Sequence, residues 1–179
     1  LAQVPQTLVP IDESVAEVFQ QIASDERVHS SLQLIEAREP ENVREQFRIT
    51  EIPAPPFQEE RRAVYYLEQM RTRGLSDAYI DTEGNAIGIR KGTGNGPTLL
   101  IAAHLDTVFP EDVDTTVKLR GGRYYAPGIG DDTRGLAVLL SIIEVLNESG
   151  IETVGDIIFS GNVGEEGRGD LRGIKAIFR

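Results

Sequence analysis

No cysteine occurs among the 179 residues. Disulfides, thiolate metal sites and cysteine nucleophiles are therefore excluded. Any metal must take His, Asp and Glu, which suits zinc, manganese or cobalt better than copper(I) or iron–sulfur. Positive charge is scarce as well: 18 Lys and Arg stand against 29 Asp and Glu, a formal charge of −11. That balance lacks the positive footprint of non-specific nucleic-acid binding, and it disfavours an anionic membrane surface. No apolar stretch approaches the roughly 20 residues of a membrane span. The longest, Leu136 to Ile143, is interrupted by Ser141. There is no G-x-S-x-G, so a serine nucleophile elbow is not expected. Internal repeats and low-complexity segments are absent too. The first residue is Leu1 and not Met, which leaves the compartment open between cytoplasm and export.

What remains is an ordinary globular composition, 40% hydrophobic and 26% charged. A chain of this length suits one domain with a real core. The stretch that organises it is Thr98 to Asp106, TLLIAAHLD. An apolar run from Leu99 to Ala103 ends in His104, Leu105 and Asp106. Such a run reads as a strand buried on both faces, as in parallel sheets. Ligand sites of open α/β sheets form at the carboxyl ends of these strands.

The N-terminal 50 residues read as helical. Residues 1 to 10, with Pro5 and Pro10, form an extended lead-in. Asp12 or Ser14 caps a helix to about Ser24, striped by Val15, Val18, Phe19 and Ile22. Further helices are expected near Glu26–Arg38 and Glu41–Thr50. His29 falls here, as a surface or helix-packing residue. Ile52 to Pro56 must be extended, because proline bars helix for itself and its predecessor. Glu59 to Arg73 resumes a helical period through Val64, Leu67 and Met70, with Gly74 as its stop. Ala78–Asp81 and Ala86–Arg90 form a hairpin, and a second small one joins Val117–Leu119 to Arg123–Tyr125. Leu136, Leu139, Leu140, Ile143 and Leu146 then mark the strongest helix, ended by Gly150. Asp156 to Ser160 is the next buried strand, and Asp170 to Arg179 begins another helix.

Three polar clusters sit at the ends of these elements: His104 with Asp106, Asp131 with Asp132, and Glu165 with Glu166. His104 offers a neutral imidazole, and Asp106 can fix its tautomer from behind. Asp131 has two oxygens and can bridge two cations. Adjacent glutamates at a strand end point different ways, so one can bind metal while the other faces water as a general base. Each piece also has a structural alternative. His-x-Asp can be a buried hydrogen-bonded pair, Asp131–Asp132 a helix N-cap, and Glu165–Glu166 a solvated pair. Together they are expected to meet at one metal site, since clustered carboxylates repel without a cation.

HLDTV (His104–Val108), APGIGDDTRG (Ala126–Gly135) and GEEGRGDLRG (Gly164–Gly173) resemble the M20 metallopeptidases, a family that includes carboxypeptidase G2-like enzymes, tripeptide aminopeptidases and aminoacylases. IPAPPFQEE (Ile52–Glu60) is similar to the family's early segment. The resemblance implies an α/β fold: three α/β/α layers on a mostly parallel mixed sheet, part of a zinc-exopeptidase-like catalytic domain. Residues 51–179 would be its N-terminal portion, and residues 1–50 a helical extension. It implies two zinc ions, or cobalt or manganese, with His104, Asp131 and Glu166 as ligands. Asp106 would orient His104, and Glu165 would act as general base. The implied substrates are small peptides or N-acyl amino acids, and the implied assembly is a homodimer formed through a lid domain. Thr133–Arg134 stands where many members have Lys-Gly. The family's lid domain, late histidine and further acidic ligand have no counterpart here, so the chain is expected to be an incomplete portion with weak or no metal binding and no turnover alone. Two other readings stay open: a non-catalytic domain retaining the fold, and a nucleotide-binding turn at Gly128–Ile129–Gly130. The spacing of the second is not G-x-G-x-x-G, and its two aspartates would repel phosphate.

Overall fold

A computed structural model describes residues 10–179; the lead-in expected over residues 1–10 falls almost wholly outside them. Helices α1 (Glu13–Ser24), α2 (Glu26–Ala37), α3 (Glu39–Thr50) and α4 (Glu60–Thr72) precede strands β1 (Tyr79–Ile80), β2 (Ala86–Arg90) and β3 (Leu99–His104). The hairpin of β4 (Lys118–Arg120) and β5 (Arg123–Tyr125) follows, then α5 (Thr133–Glu148), β6 (Ile157–Asn162) and α6 (Arg172–Ile177). No described helix is long and apolar enough to cross a membrane.

The main sheet runs β1-β2-β6-β3. Its class is the α/β mixture that the alternation of patterns indicates. Its pairing is less parallel than expected: only β3 and β6 run parallel, while β1–β2 and β2–β6 are antiparallel. The connections explain this. β1 and β2 are joined by a turn in which the Asp81 carboxylate accepts from the backbone N–H groups of Glu83, Gly84 and Asn85, and so tight a link permits only antiparallel pairing. Parallel pairing needs a long crossover, which α5 supplies between β3 and β6.

Register fixes which face is covered. Gly88, Ile101 and Phe159 share one face. A methyl group on Gly88 would touch Leu75 and Met70, and one on Gly161, on the same face, would meet the Tyr66 ring at 2.7 Å. This is the face that α4 and α5 cover. Phe159, Tyr66, Met70, Leu136, Leu140 and Ile143 form its core, each large side chain contributing about 1.5–3 kcal/mol by burial. The opposite face, with Leu100, Ala102, Ile158 and Ile89, is only partly covered among the described residues. The third layer is therefore not complete there, and β3, at the sheet edge, is buried on one face and not on both.

The buried stripe of α4 also differs from the expected one. It comprises Arg62, Ala63, Tyr66 and Met70, and Val64 is exposed. Arg62 is inside because its guanidinium donates to the backbone carbonyls of Leu105 (2.6 Å), Ile52 (2.9 Å) and Thr50 (3.5 Å). Helix α3 packs on α5 through Thr50–Thr133 (2.8 Å) and Asn42–Ser141 (3.1 Å) hydrogen bonds.

Candidate metal centre

The apolar residues of β3 carry the chain to His104 at the strand's carboxyl end. There Leu105 N–H still donates to Asn162 O (2.7 Å), so the ladder holds one residue beyond the strand. Thr107 N–H then donates to Ala54 O (2.9 Å), which is how the extended proline segment joins the site. The His104 ring is 11% exposed. Its Nδ1 lies 2.9 Å from the Asp106 backbone carbonyl, and its Nε2 lies 3.0 Å from Asp131 Oδ1. The Nδ1–H therefore donates to the carbonyl, and Nε2 faces Asp131, donating a proton to its carboxylate in the metal-free ring and free to turn its lone pair to a cation once that proton is lost.

Asp131 ends the Gly-rich stretch before α5, joined to Asp132 by a cis peptide bond. The two residues divide the work. Asp131 is 78% exposed at its side chain and faces His104. Asp132 is the N-cap of α5, accepting from Gly135 N–H (3.0 Å) and from His104 N–H (3.1 Å). The α5 terminus thus holds its own carboxylate and offers no open phosphate cradle. Thr133 and Arg134 lie outside the cluster and face α3, Arg134 pairing with Glu39 at 3.0 Å.

Ligand atoms of His104, Asp131 and Glu166 all lie within 4.8 Å of one another. Glu165, the other glutamate, stands outside this group. Both glutamates are held by their backbones: Glu165 N–H donates to Asp106 Oδ1 (2.9 Å) and Glu166 N–H to Asp106 Oδ2 (2.8 Å). Asp106, fully buried, thus grips the glutamate loop with its carboxylate. It touches the imidazole mainly through its carbonyl, its Oδ1 being 3.7 Å from Nδ1. His29 is exposed on α2, well apart in sequence and unconnected to the cluster.

Charge in the cluster is unbalanced. Burial disfavours the His104 imidazolium, but the Asp106 and Asp131 carboxylates outweigh it and hold the ring's pKa at about 9. Burial raises Glu166, and the Asp131 and Glu165 carboxylates raise it further. Burial alone would raise Asp106; its contact with His104 and the two loop N–H groups bring it below the ordinary range. One imidazole nitrogen and two carboxylates, converging and short of positive charge, fit a borderline divalent cation such as zinc. Beside them a cavity of about 320 Å³ is lined by Val108, Phe109, Ile129, Asp131 and Glu166, among others. It leaves room for an apolar group next to the donors.

Four supporting residues carry no signal as single letters: Glu59, Arg62, Asn85 and Arg172. Asn85 is fully buried and accepts from Val163 N–H (2.9 Å) while donating to Gly173 O (3.0 Å). The one available hint was Arg62, a charge at a helical spacing of four from Tyr66 and eight from Met70.

Residues 100–179 match the model of peptidase family M20/M25/M40. Carboxypeptidase G2 of Pseudomonas sp. strain RS-16 is 37% identical over 84 residues, covering 46% of this chain and 20% of that protein. A Pyrococcus abyssi protein named for the hydrolysis of LysW-lysine and LysW-ornithine is 34% identical over 119 residues, covering 66% of this chain and 32% of its own. The chain thus spans a third or less of the length of these curated relatives. Among solved structures, aminopeptidase PepT of Bacillus cereus superposes with a TM-score of 0.64 at 26% identity, covering 75% of this chain and 38% of that one.

Proposed function

We propose, from the premise that this chain belongs to peptidase family M20/M25/M40, that it is part of a metal-dependent hydrolase. The complete protein would cut a terminal peptide bond or an N-acyl amide bond of small peptides or acyl amino acids. The observation that carries this is the convergence of His104, Asp131 and Glu166 beside an open cavity.

His104 Nε2 and the Asp131 and Glu166 carboxylates would hold zinc, or cobalt or manganese, with Asp131 shared between two ions. Bound zinc acidifies a water and polarises the scissile carbonyl. Glu165, adjacent to the ligands yet outside their group, would accept the water's proton on its carboxylate and hand it to the departing nitrogen. Asp106 serves both sides, fixing the His104 ring through its carbonyl and the glutamate backbones through its carboxylate. The hydrolase names of the relatives agree with this reaction class. Two four-coordinate cations need more donors than three side chains, so this chain alone should hold zinc weakly and turn nothing over.

In the complete protein, Glu165→Gln should lower kcat by at least ~10²-fold, the usual worth of a positioned general base. Bound zinc per chain, measured by elemental analysis, should stay unchanged. Hydrolysis of dipeptides, tripeptides and N-acyl amino acids at the wild-type rate would remove the proposal. Full turnover by residues 1–179 alone would remove the incomplete-site part of it.

A further inference from the structure

The loop that carries Glu165 and Glu166 is gripped from a second side, by residues the hydrolase reading leaves unused. Glu59 lies at the N-cap position of α4 and Arg172 opens α6. The two come from the ends of separate motifs and meet beneath Gly164. The Glu59 carboxylate, 4% exposed, receives both Arg172 Nη2 contacts (2.7 and 2.8 Å) and the Gly164 N–H (3.1 Å). On its other side Gly164 O accepts from the Arg172 backbone N–H (3.2 Å). The Arg172 guanidinium extends to the Glu83 carbonyl (3.2 Å) and lies 5.0 Å from the centre of the Phe57 ring.

The fit around Gly164 is close. Its φ is +62°, and a methyl group there would stand 2.7 Å from Arg172 Cγ and Nε. Phe57 holds φ at 71° to present its ring, a conformation costing a non-glycine residue about 1–2 kcal/mol. A buried ion pair is a poor route to stability, since desolvation offsets most of its attraction. What one guanidinium nitrogen spanning both carboxylate oxygens supplies is fixed geometry. Here that geometry is transmitted to one peptide, one residue before the glutamates.

Building on the hydrolase reading, we infer that Glu59 and Arg172 are positioning residues. They form a clamp that sets the Gly164 backbone and, through it, the directions of Glu165 and Glu166. Asp106 grips the loop's next two N–H groups from the β3 side, so the clamp and Asp106 together fix three successive amides.

The test uses the complete protein with zinc added, as wild type and as Glu59→Gln, Arg172→Lys and a core control, Ile143→Val. In both clamp variants, hydrogen exchange at Gly164, Glu165 and Glu166 should speed at least tenfold, with Leu100–Ala103 of β3 unchanged. Zinc affinity should weaken about tenfold, the low end of an outer-partner effect. The kcat should fall about tenfold with KM within twofold. Ile143→Val should lower Tm without any of these local changes. Loop exchange, zinc affinity and kcat at wild-type values in both clamp variants would overturn the clamp, as would equal changes in the control. If the wild type itself holds no zinc and hydrolyses nothing, the hydrolase reading falls, and loop exchange alone still decides the clamp. Should Glu59→Gln fail to fold, Arg172→Lys carries the same readouts.

Discussion

Asp131–Asp132 and Glu165–Glu166 are each an acidic pair, one opening α5 and the other following β6, and they are anchored in different ways. The aspartate pair anchors itself: Asp132 binds two backbone N–H groups, of His104 and Gly135, and leaves Asp131 outside. The glutamate pair borrows its anchor. Neither glutamate carboxylate accepts a hydrogen bond among the described residues; their backbones are held by Asp106 from β3. The lesson concerns carboxylates in general. One that binds backbone amides is already neutralised in place, whereas one meant for a cation or a proton must be left free, with its position set by another residue. Removing an anchor should therefore cost stability, and removing a free acid should cost cation affinity alone.

The sharpest break of that division is Asp106→Ala. It leaves the Glu165 and Glu166 N–H groups without their buried acceptor. It also removes the negative charge beside Arg62, whose pKa burial lowers to about 10 against the pull of Asp106. Two unsatisfied amides, with a smaller loss at Arg62, whose guanidinium stays bonded to three carbonyls, should cost about 3–5 kcal/mol, roughly 10 °C in Tm for a chain of this size. Thermal unfolding in EDTA measures it. A loss under 1 kcal/mol would mean that the glutamate loop does not depend on Asp106. Asp132→Ala should follow at about 2–3 kcal/mol, combining a lost N-cap with an orphaned strand amide. Zinc affinity should fall with stability in both variants.

Element positions in this chain were largely legible, because they follow from local pattern. The α1 cap at Asp12, the β1–β2 and β4–β5 hairpins and the α5 helix stand close to where spacing puts them. What covers a face was not legible. The apolar stripe of α1, with Val15 and Phe19, is exposed, although its spacing matches that of the buried stripe of α5. Periodicity reports that a side has been made apolar and is silent on its partner. The same limit shifted the buried stripe of α4, where Arg62 counts as polar by letter yet is satisfied by three carbonyls. At the centre, spacing put His104 at a strand end and each acidic pair at the end of a neighbouring element. Which acid of each pair turns to the cluster came from the family resemblance and not from spacing, because it depends on which backbone amides point inward. The N-cap reading of Asp131–Asp132 fits its second residue and not its first.

Asp131→Ala is the smallest expected change in stability and the most direct test of the comparison. Asp131 contacts His104 at 3.0 Å, yet its side chain is mostly in water, where such pairs contribute about 0–1 kcal/mol. It also raises Glu166 by repulsion, so its removal relieves one cost while losing one attraction. The two nearly cancel, and the stability of the metal-free complete protein should move by no more than about 0.5 kcal/mol, the range of ordinary surface substitutions. The zinc-induced rise in Tm should nevertheless disappear, because that rise scales with the logarithm of zinc concentration over Kd and the proposed shared ligand would be gone. A fall of several degrees in EDTA would show that Asp131 is an anchor like its neighbour. A rise with zinc equal to wild type would show that the free acid of this pair is not a ligand.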